Sequence, residues 1–323
     1  NAAGWETAAK TDTSNREQLA FPLDSYLKGA GSKLYVRITD QTPENRWGAV
    51  LRSVVVTYQP LTGMDDTAVV QYAKASDSAD GSFPADKAIT IQASRINASF
   101  GYLSNKATLT GLSENTTYLY RIGNRTADEW SEVKTYTTRG GKDYTFILTG
   151  DPQIGASEDI PADTLAWNKT LDAALQRAPD AAFLLSAGDQ VDSHSNEFQY
   201  EGLLSSSVWD SLPMAPTIGN HDTSSKYFTY HFNVPNPTKD NVTAAGGNYT
   251  FQYGETLFVV LNGNADDGDG FRRTFAAATA ACPDYRWLVV CLHQDIYGSG
   301  THTTTKELQD LRATLFPILD EYM

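Results

Sequence analysis

Cysteine is scarce in this chain, with two in 323 residues, and that excludes a disulfide framework. Cys282 and Cys291 are separated mostly by "YRWLVVC", which reads as a strand. Extended at ~3.3 Å per residue, it holds the two sulfurs beyond disulfide reach, so free thiols are expected. Positive charge is short as well. Lys and Arg total 25 against 39 Asp and Glu, a net charge of −14. Such a chain repels polyphosphate backbones at long range, which argues against a nucleic-acid partner. A small anionic substrate stays compatible, because a local cation inverts the field at one site. Apolar runs of about 18 residues are absent, so no segment is expected to span a membrane. Neither a signal-peptide pattern nor an internal repeat is visible.

What is present is an ordinary globular composition, 41% apolar and 20% charged, on a chain long enough for two cores. Six N-x-[ST] sequons, at Asn97, Asn115, Asn124, Asn168, Asn241 and Asn248, fit an exported, Thr-rich protein. A secreted or cell-surface location is therefore expected. Nothing in the sequence fixes the oligomeric state.

Three regions follow one another. Residues 1–32 are a polar, weakly patterned extension. Residues 33–138 carry recurrent short runs between turn signals: "KLYVRI", "SVVVTYQ", "TAVVQYAKA", "AITIQA", "KATLTGL", "TYLYRIG" and "EVKTYTT". Many short strands without helical period predict an all-β sandwich. The stretch "LTGLSENTTYLYRIG" resembles the end of a fibronectin type III-like domain, with Tyr118 where a tyrosine corner would sit. After the linker "TTRGGKD" the pattern changes. Over residues 143–323 buried strands alternate with helical stretches, which predicts an α/β domain.

In α/β sheets functional groups gather beyond the carboxyl ends of the strands, and four strands here end alike. "FILTGD" delivers Asp151, "FLLSAGD" delivers Asp189, "PTIGNHD" delivers Asn220, His221 and Asp222, and "LVVCLH" delivers His293. Oxygen and imidazole donors from four strand ends describe a site for hard or borderline divalent metals. Glycine precedes three of these groups, as expected where backbones crowd an ion.

The ordered series "DPQ", "GDQVD", "GNHD" and the strand-end His293 resembles the calcineurin-like metallophosphoesterase superfamily. The β-rich region in front makes it most similar to the purple acid phosphatase branch. The resemblance implies two packed β-sheets flanked by helices and hydrolysis of phosphate esters, monoesters favoured, by metal-bound hydroxide. It also implies two divalent or trivalent ions of iron, zinc or manganese. Asp151 would hold the first ion, Asn220 and His293 the second, and Asp189 both.

Two positions depart from the purple acid phosphatase pattern, which has glycine at the place of Gln153 and tyrosine at that of Asp192. Gln153 is either an oxygen ligand of the first ion or a hydrogen-bonding loop residue. Asp192 either orients His221 through its carboxylate, as in the phosphoprotein phosphatases, or binds metal. By the same resemblance His221 and His302 would contact the phosphoryl group or protonate the leaving oxygen. His194 and His231 read as loop or rim residues. The family's closing GHxH block is missing before Met323, so the resemblance implies an α/β domain truncated at its C-terminal end. A phosphodiesterase of the same superfamily, or a non-catalytic surface binding protein with a degenerate phosphatase domain, are the alternatives.

Overall fold

The strand Thr117–Asn124 organises the first part of the molecule. The computed structural model describes residues 68–98, 103–126, 128–298 and 304–322, all within one compact unit. The extension 1–32 and the expected strands "KLYVRI" and "SVVVTYQ" lie outside the described residues. Strands β1 (Ala68–Lys74), β2 (Ile89–Gln92), β3 (Ser94–Asn97), β4 (Leu103–Lys106), β5 (Thr117–Asn124), β6 (Glu129–Trp130) and β7 (Lys134–Thr137) follow in order. An antiparallel sheet runs β2-β1-β5-β6, with β7 also on β5, while β3 pairs with β4. Tyr118 is buried against the edge of Tyr72, ring centroids 6.0 Å apart. Its hydroxyl accepts the Ser113 amide at 2.8 Å, closing the loop before β5.

The run "KATLTGL" is not a strand, because β4 ends at Lys106. The chain is drawn away from a ladder there. The Lys106 ammonium donates to the carbonyls of Thr229 and Phe232, and Ser104 Oγ donates to Tyr230 O at 2.6 Å. Gly111 then turns the chain with φ +68°, a conformation that favours glycine.

The second part alternates β8 (Ile147–Thr149), α1 (Ile160–Arg177), β9 (Leu184–Ser186), α2 (Glu197–Leu203), β10 (Met214–Pro216), α3 (Tyr227–His231), β11 (Tyr249–Tyr253), β12 (Thr256–Val260), α4 (Gly268–Ala281), β13 (Trp287–Cys291) and α5 (Lys306–Tyr322). Asp159 caps α1 by accepting the Ala162 amide at 3.2 Å, and Pro161 suits the first turn. One sheet is parallel, β8-β9-β10; the other joins the hairpin β11-β12 to a parallel β13.

Side-chain alternation tells how these sheets pack. Leu185 and Phe258 point into a shared aromatic layer with Phe183, Phe146 and Phe251. Phe146 stacks on Phe183 at 5.3 Å, and Phe183 meets the edge of Phe258 at 5.4 Å. Leu184 points the other way, toward Trp167 and Leu171 of α1. Leu257 and Val259 do the same toward Phe271 and Phe275 of α4 and Leu311 and Leu315 of α5. Two sheets therefore lie face to face between helices. Burying each of these Leu or Phe side chains stabilises the fold by about 1.5–3 kcal/mol, which makes the strand ends a rigid platform.

Candidate metal centre

The parallel ladder of β8-β9-β10 continues beyond the strands and sets the site. Ala187 donates to Thr149 O at 2.7 Å, Asp151 to Gly188 O at 3.1 Å, Gln153 to Asp189 O at 2.9 Å, and Thr217 to Ser186 O at 2.8 Å. Along this edge Asp151, Gln153 and Asp189 take φ of +48°, +37° and +47°. Residues with side chains rarely adopt this region, and such conformations cost of order 1–3 kcal/mol each. Their cluster marks a place where side chains must be aimed against backbone preference.

Two glycines are required by crowding and one is not. A Cβ on Gly219 would lie 2.0 Å from Asp189 Oδ1 and 2.2 Å from its nitrogen. On Gly188 it would lie 2.6 Å from His293 Nδ1. On Gly150 the nearest atom is Ala187 Cβ at 3.5 Å, an ordinary contact. The expectation that all three glycines make room for the site thus holds for two.

Asp151, Asp189 and His293 offer ligand atoms that all lie within 4.8 Å of one another. His293 Nε2 is 3.4 Å from Asp189 Oδ2 and 2.9 Å from Asn220 Oδ1. Separations of this size are those between ligands of one small cation, roughly 3–3.5 Å for bonds near 2.1 Å. Two carboxylates, an amide oxygen and an imidazole are a donor set for hard or borderline metals. Asp189 is buried and Asp151 exposed, so the pair reaches from the core to the surface.

Electrostatics tie the donors together. Burial works against the charge of Asp189, but the hydrogen bond and charge of His293 outweigh it and hold the carboxyl below its usual range. Burial likewise disfavours the His293 cation, yet Asp189 pushes the ring above its ordinary value. For Asp151 burial and the neighbouring Asp189 charge raise the carboxyl, against the pull of His293 and His221.

The other expected residues line the same edge. His221 N donates to Asp189 Oδ1 at 2.9 Å. The His221 ring is oriented by the main chain: Nδ1 lies 2.6 Å from the Asp192 carbonyl oxygen and 3.6 Å from its carboxylate. A carbonyl only accepts, so Nδ1 carries a proton and Nε2 is the nitrogen turned toward the site. The Gln153 amide nitrogen stands 3.2 Å from that Nε2 and 3.4 Å from Asp192 Oδ1. His302 lies outside the described residues. His231 stacks on Tyr200 at 4.3 Å and pairs with Glu197 at 3.2 Å, so its contacts are those of packing. The carbonyl of His194 accepts from Ser225 Oγ at 2.7 Å.

The sequence reading counts Asp222 among the strand-end donors, but the residue is fully buried and does not join the donor cluster of Asp151, Asp189 and His293. Its carboxylate accepts from Gly219 N at 2.9 Å and from Gln190 N at 3.1 Å, joining the "GNHD" loop to the "GDQVD" loop. Burial pushes this carboxyl up to about 7 against those two amides. The signal was its place in "NHD", which also reads as a helix-cap cluster.

The chain matches the family model of calcineurin-like phosphoesterases over residues 121–318. It belongs to the calcineurin-like phosphoesterases. The purple acid phosphatase N-terminal domain model matches residues 41–138. No curated protein matches the chain. This phosphoesterase is a metal-dependent hydrolase of the purple acid phosphatase-like branch. Its family implies divalent metal ions and small phosphate-ester substrates, and the Asp151, Asp189 and His293 donor set fits such ions. Among its described residues no helix is long and apolar enough to cross a membrane.

Proposed function

We propose that this phosphoesterase hydrolyses phosphomonoesters with two ions of iron, zinc or manganese. Asp151, Gln153 and Asp189 would hold the first ion, and Asp189, Asn220 and His293 the second. The observation that carries the reading is the convergence of Asp151, Asp189 and His293 ligand atoms within 4.8 Å. When bound, the pair of ions supplies an acidified water and neutralises phosphoryl charge.

The chain's own groups do the rest. His221, fixed through Nδ1 by the Asp192 carbonyl, presents Nε2 to the reacting group and, once protonated, donates to the leaving oxygen. Gln153 directs its amide nitrogen at His221 and Asp192, which leaves its oxygen as the end for the first ion. By the family resemblance, His302 is assigned contact with the phosphoryl group or protonation of the leaving oxygen. The N-terminal sheet is a fibronectin type III-like sandwich, a reading supported by the Tyr118 hydroxyl on the Ser113 amide. The net charge of −14 favours a small ester over a nucleic acid, and export to the cell surface or beyond fits the sequons.

Elemental analysis with turnover of an aryl phosphate and a bis-aryl phosphate tests this reading. Two equivalents of metal and faster monoester turnover are expected. A protein that takes up no metal, or that prefers the diester, overturns it.

A further inference from the structure

Beside the donor set sit two part-buried amides that the chemistry above does not use. Asn264 lies four residues beyond the end of β12, and Gln294 directly follows His293. The Asn264 amide nitrogen donates to the carbonyl oxygens of Ile218 at 3.2 Å and Gly219 at 3.3 Å. It also lies 2.9 Å from Asn262 Oδ1. The Asn264 oxygen accepts from Gln294 Nε2 at 2.9 Å. One side chain therefore grips the two residues before Asn220 and, through Gln294, the residue after His293.

Asn220 and His293 come from different sheets. β10 belongs to one and β13 to the other, so no shared backbone ladder sets their spacing. Deeper in, Thr217 Oγ1 meets Cys291 Sγ at 3.2 Å, and the amide pair makes the next tie outward. At the rim Asn220 Oδ1 and His293 Nε2 stand 2.9 Å apart. We propose that Asn264 and Gln294 form a strut that fixes this separation and so positions the two ligands of the second ion. The proposal rests on the reading that Asn220 and His293 bind that ion.

An amide suits the task because it donates and accepts at once. The Ile218 and Gly219 carbonyls only accept, and the Gln294 nitrogen only donates. A carboxylate at position 264 would repel the carbonyls. A methyl would take the amide donor from the Ile218 and Gly219 carbonyls and the acceptor from the Gln294 nitrogen, leaving Gly219 O only the Asp222 amide. Asn264 and Gln294 act through Asn220 and His293, so both are positioning residues.

The test is a calorimetric titration of the metal-free full chain with zinc(II). The unsubstituted protein is expected to take two equivalents. Asn264→Ala, the isosteric Asn264→Asp and Gln294→Ala should each keep the first at its original affinity and weaken the second by roughly 10–100-fold. The Asn264→Ala/Gln294→Ala double variant should be no weaker than the weaker single one, because both act through one strut. Two equivalents bound with unchanged affinity by all three variants, or equal weakening of both, would overturn the strut alone. A single equivalent on the unsubstituted protein would overturn the dinuclear reading and the strut with it.

Discussion

The ring of His221 is held by the main chain of Asp192 and not by its carboxylate: Nδ1 is 2.6 Å from the carbonyl oxygen and 3.6 Å from Oδ1. The orienting group is therefore one that no substitution at position 192 removes. Asp192→Asn should retain the tautomer and lower turnover by less than about tenfold, well short of the 10²–10⁴ attached to a general acid. His221→Ala should fall within that larger range. Steady-state turnover with saturating metal checks both, and a loss in Asp192→Asn as large as in His221→Ala would restore the carboxylate as the orienting group.

The three glycines divide into two kinds. Gly219→Ala and Gly188→Ala would place a methyl inside contact distance of Asp189 and His293. Each should destabilise the metal-free protein by about 1–3 kcal/mol and reduce its metal content. Gly150→Ala, whose new methyl meets only Ala187 at 3.5 Å, should do neither. Urea unfolding in chelator, with elemental analysis of the same samples, compares them.

On the proposed reading, Asp189 serves both ions. Asp189→Ala should remove both ions, while Asn220→Ala should affect mainly the second. Elemental analysis is the measurement, and two full equivalents in Asp189→Ala would rule out a shared ligand.

His293 makes metal binding sensitive to acid. Both ring nitrogens face acceptors, Ala187 O at 3.0 Å and Asn220 Oδ1 at 2.9 Å, and its pKa stands above the ordinary 6.5. A metal needs the neutral ring. Below that raised pKa an incoming ion must displace a proton, so affinity should fall as pH drops through it. Calorimetry in buffers of different ionisation enthalpy reads the released proton. Its absence near pH 6.5 would mean that the ring is already neutral there.

The platform was legible because apolar runs that stop on a glycine and a carboxylate read as strands ending at a site, although only β9 is buried and β8 lies at the sheet edge with Leu148 exposed. "FILTGD" and "FLLSAGD" became β8 and β9, with Asp151 and Asp189 at their ends. "KATLTGL" misled because alternation alone does not say whether a partner strand exists, and the carbonyls that Lys106 reaches lie more than a hundred residues away. The hold on His221 was illegible for a different reason. Backbone carbonyls are the same at every residue, so sequence pointed to the side chain of Asp192. Asn264 and Gln294 carry no motif, and their value lies in a spacing between two sheets that only the fold creates.

The sequons at Asn241 and Asn248 have an outcome outside catalysis. Both side chains are buried. Asn248 donates to Asn241 Oδ1 and Thr274 Oγ1 at 2.9 Å and accepts the Asn262 amide at 2.8 Å. A sugar added to an unfinished chain at either position would have to be buried with it, or leave these partners unmatched. In any production host that glycosylates exported chains, occupancy at Asn248 would compete directly with folding. Yield there would be governed by how quickly the hairpin around Tyr249 closes over the asparagine.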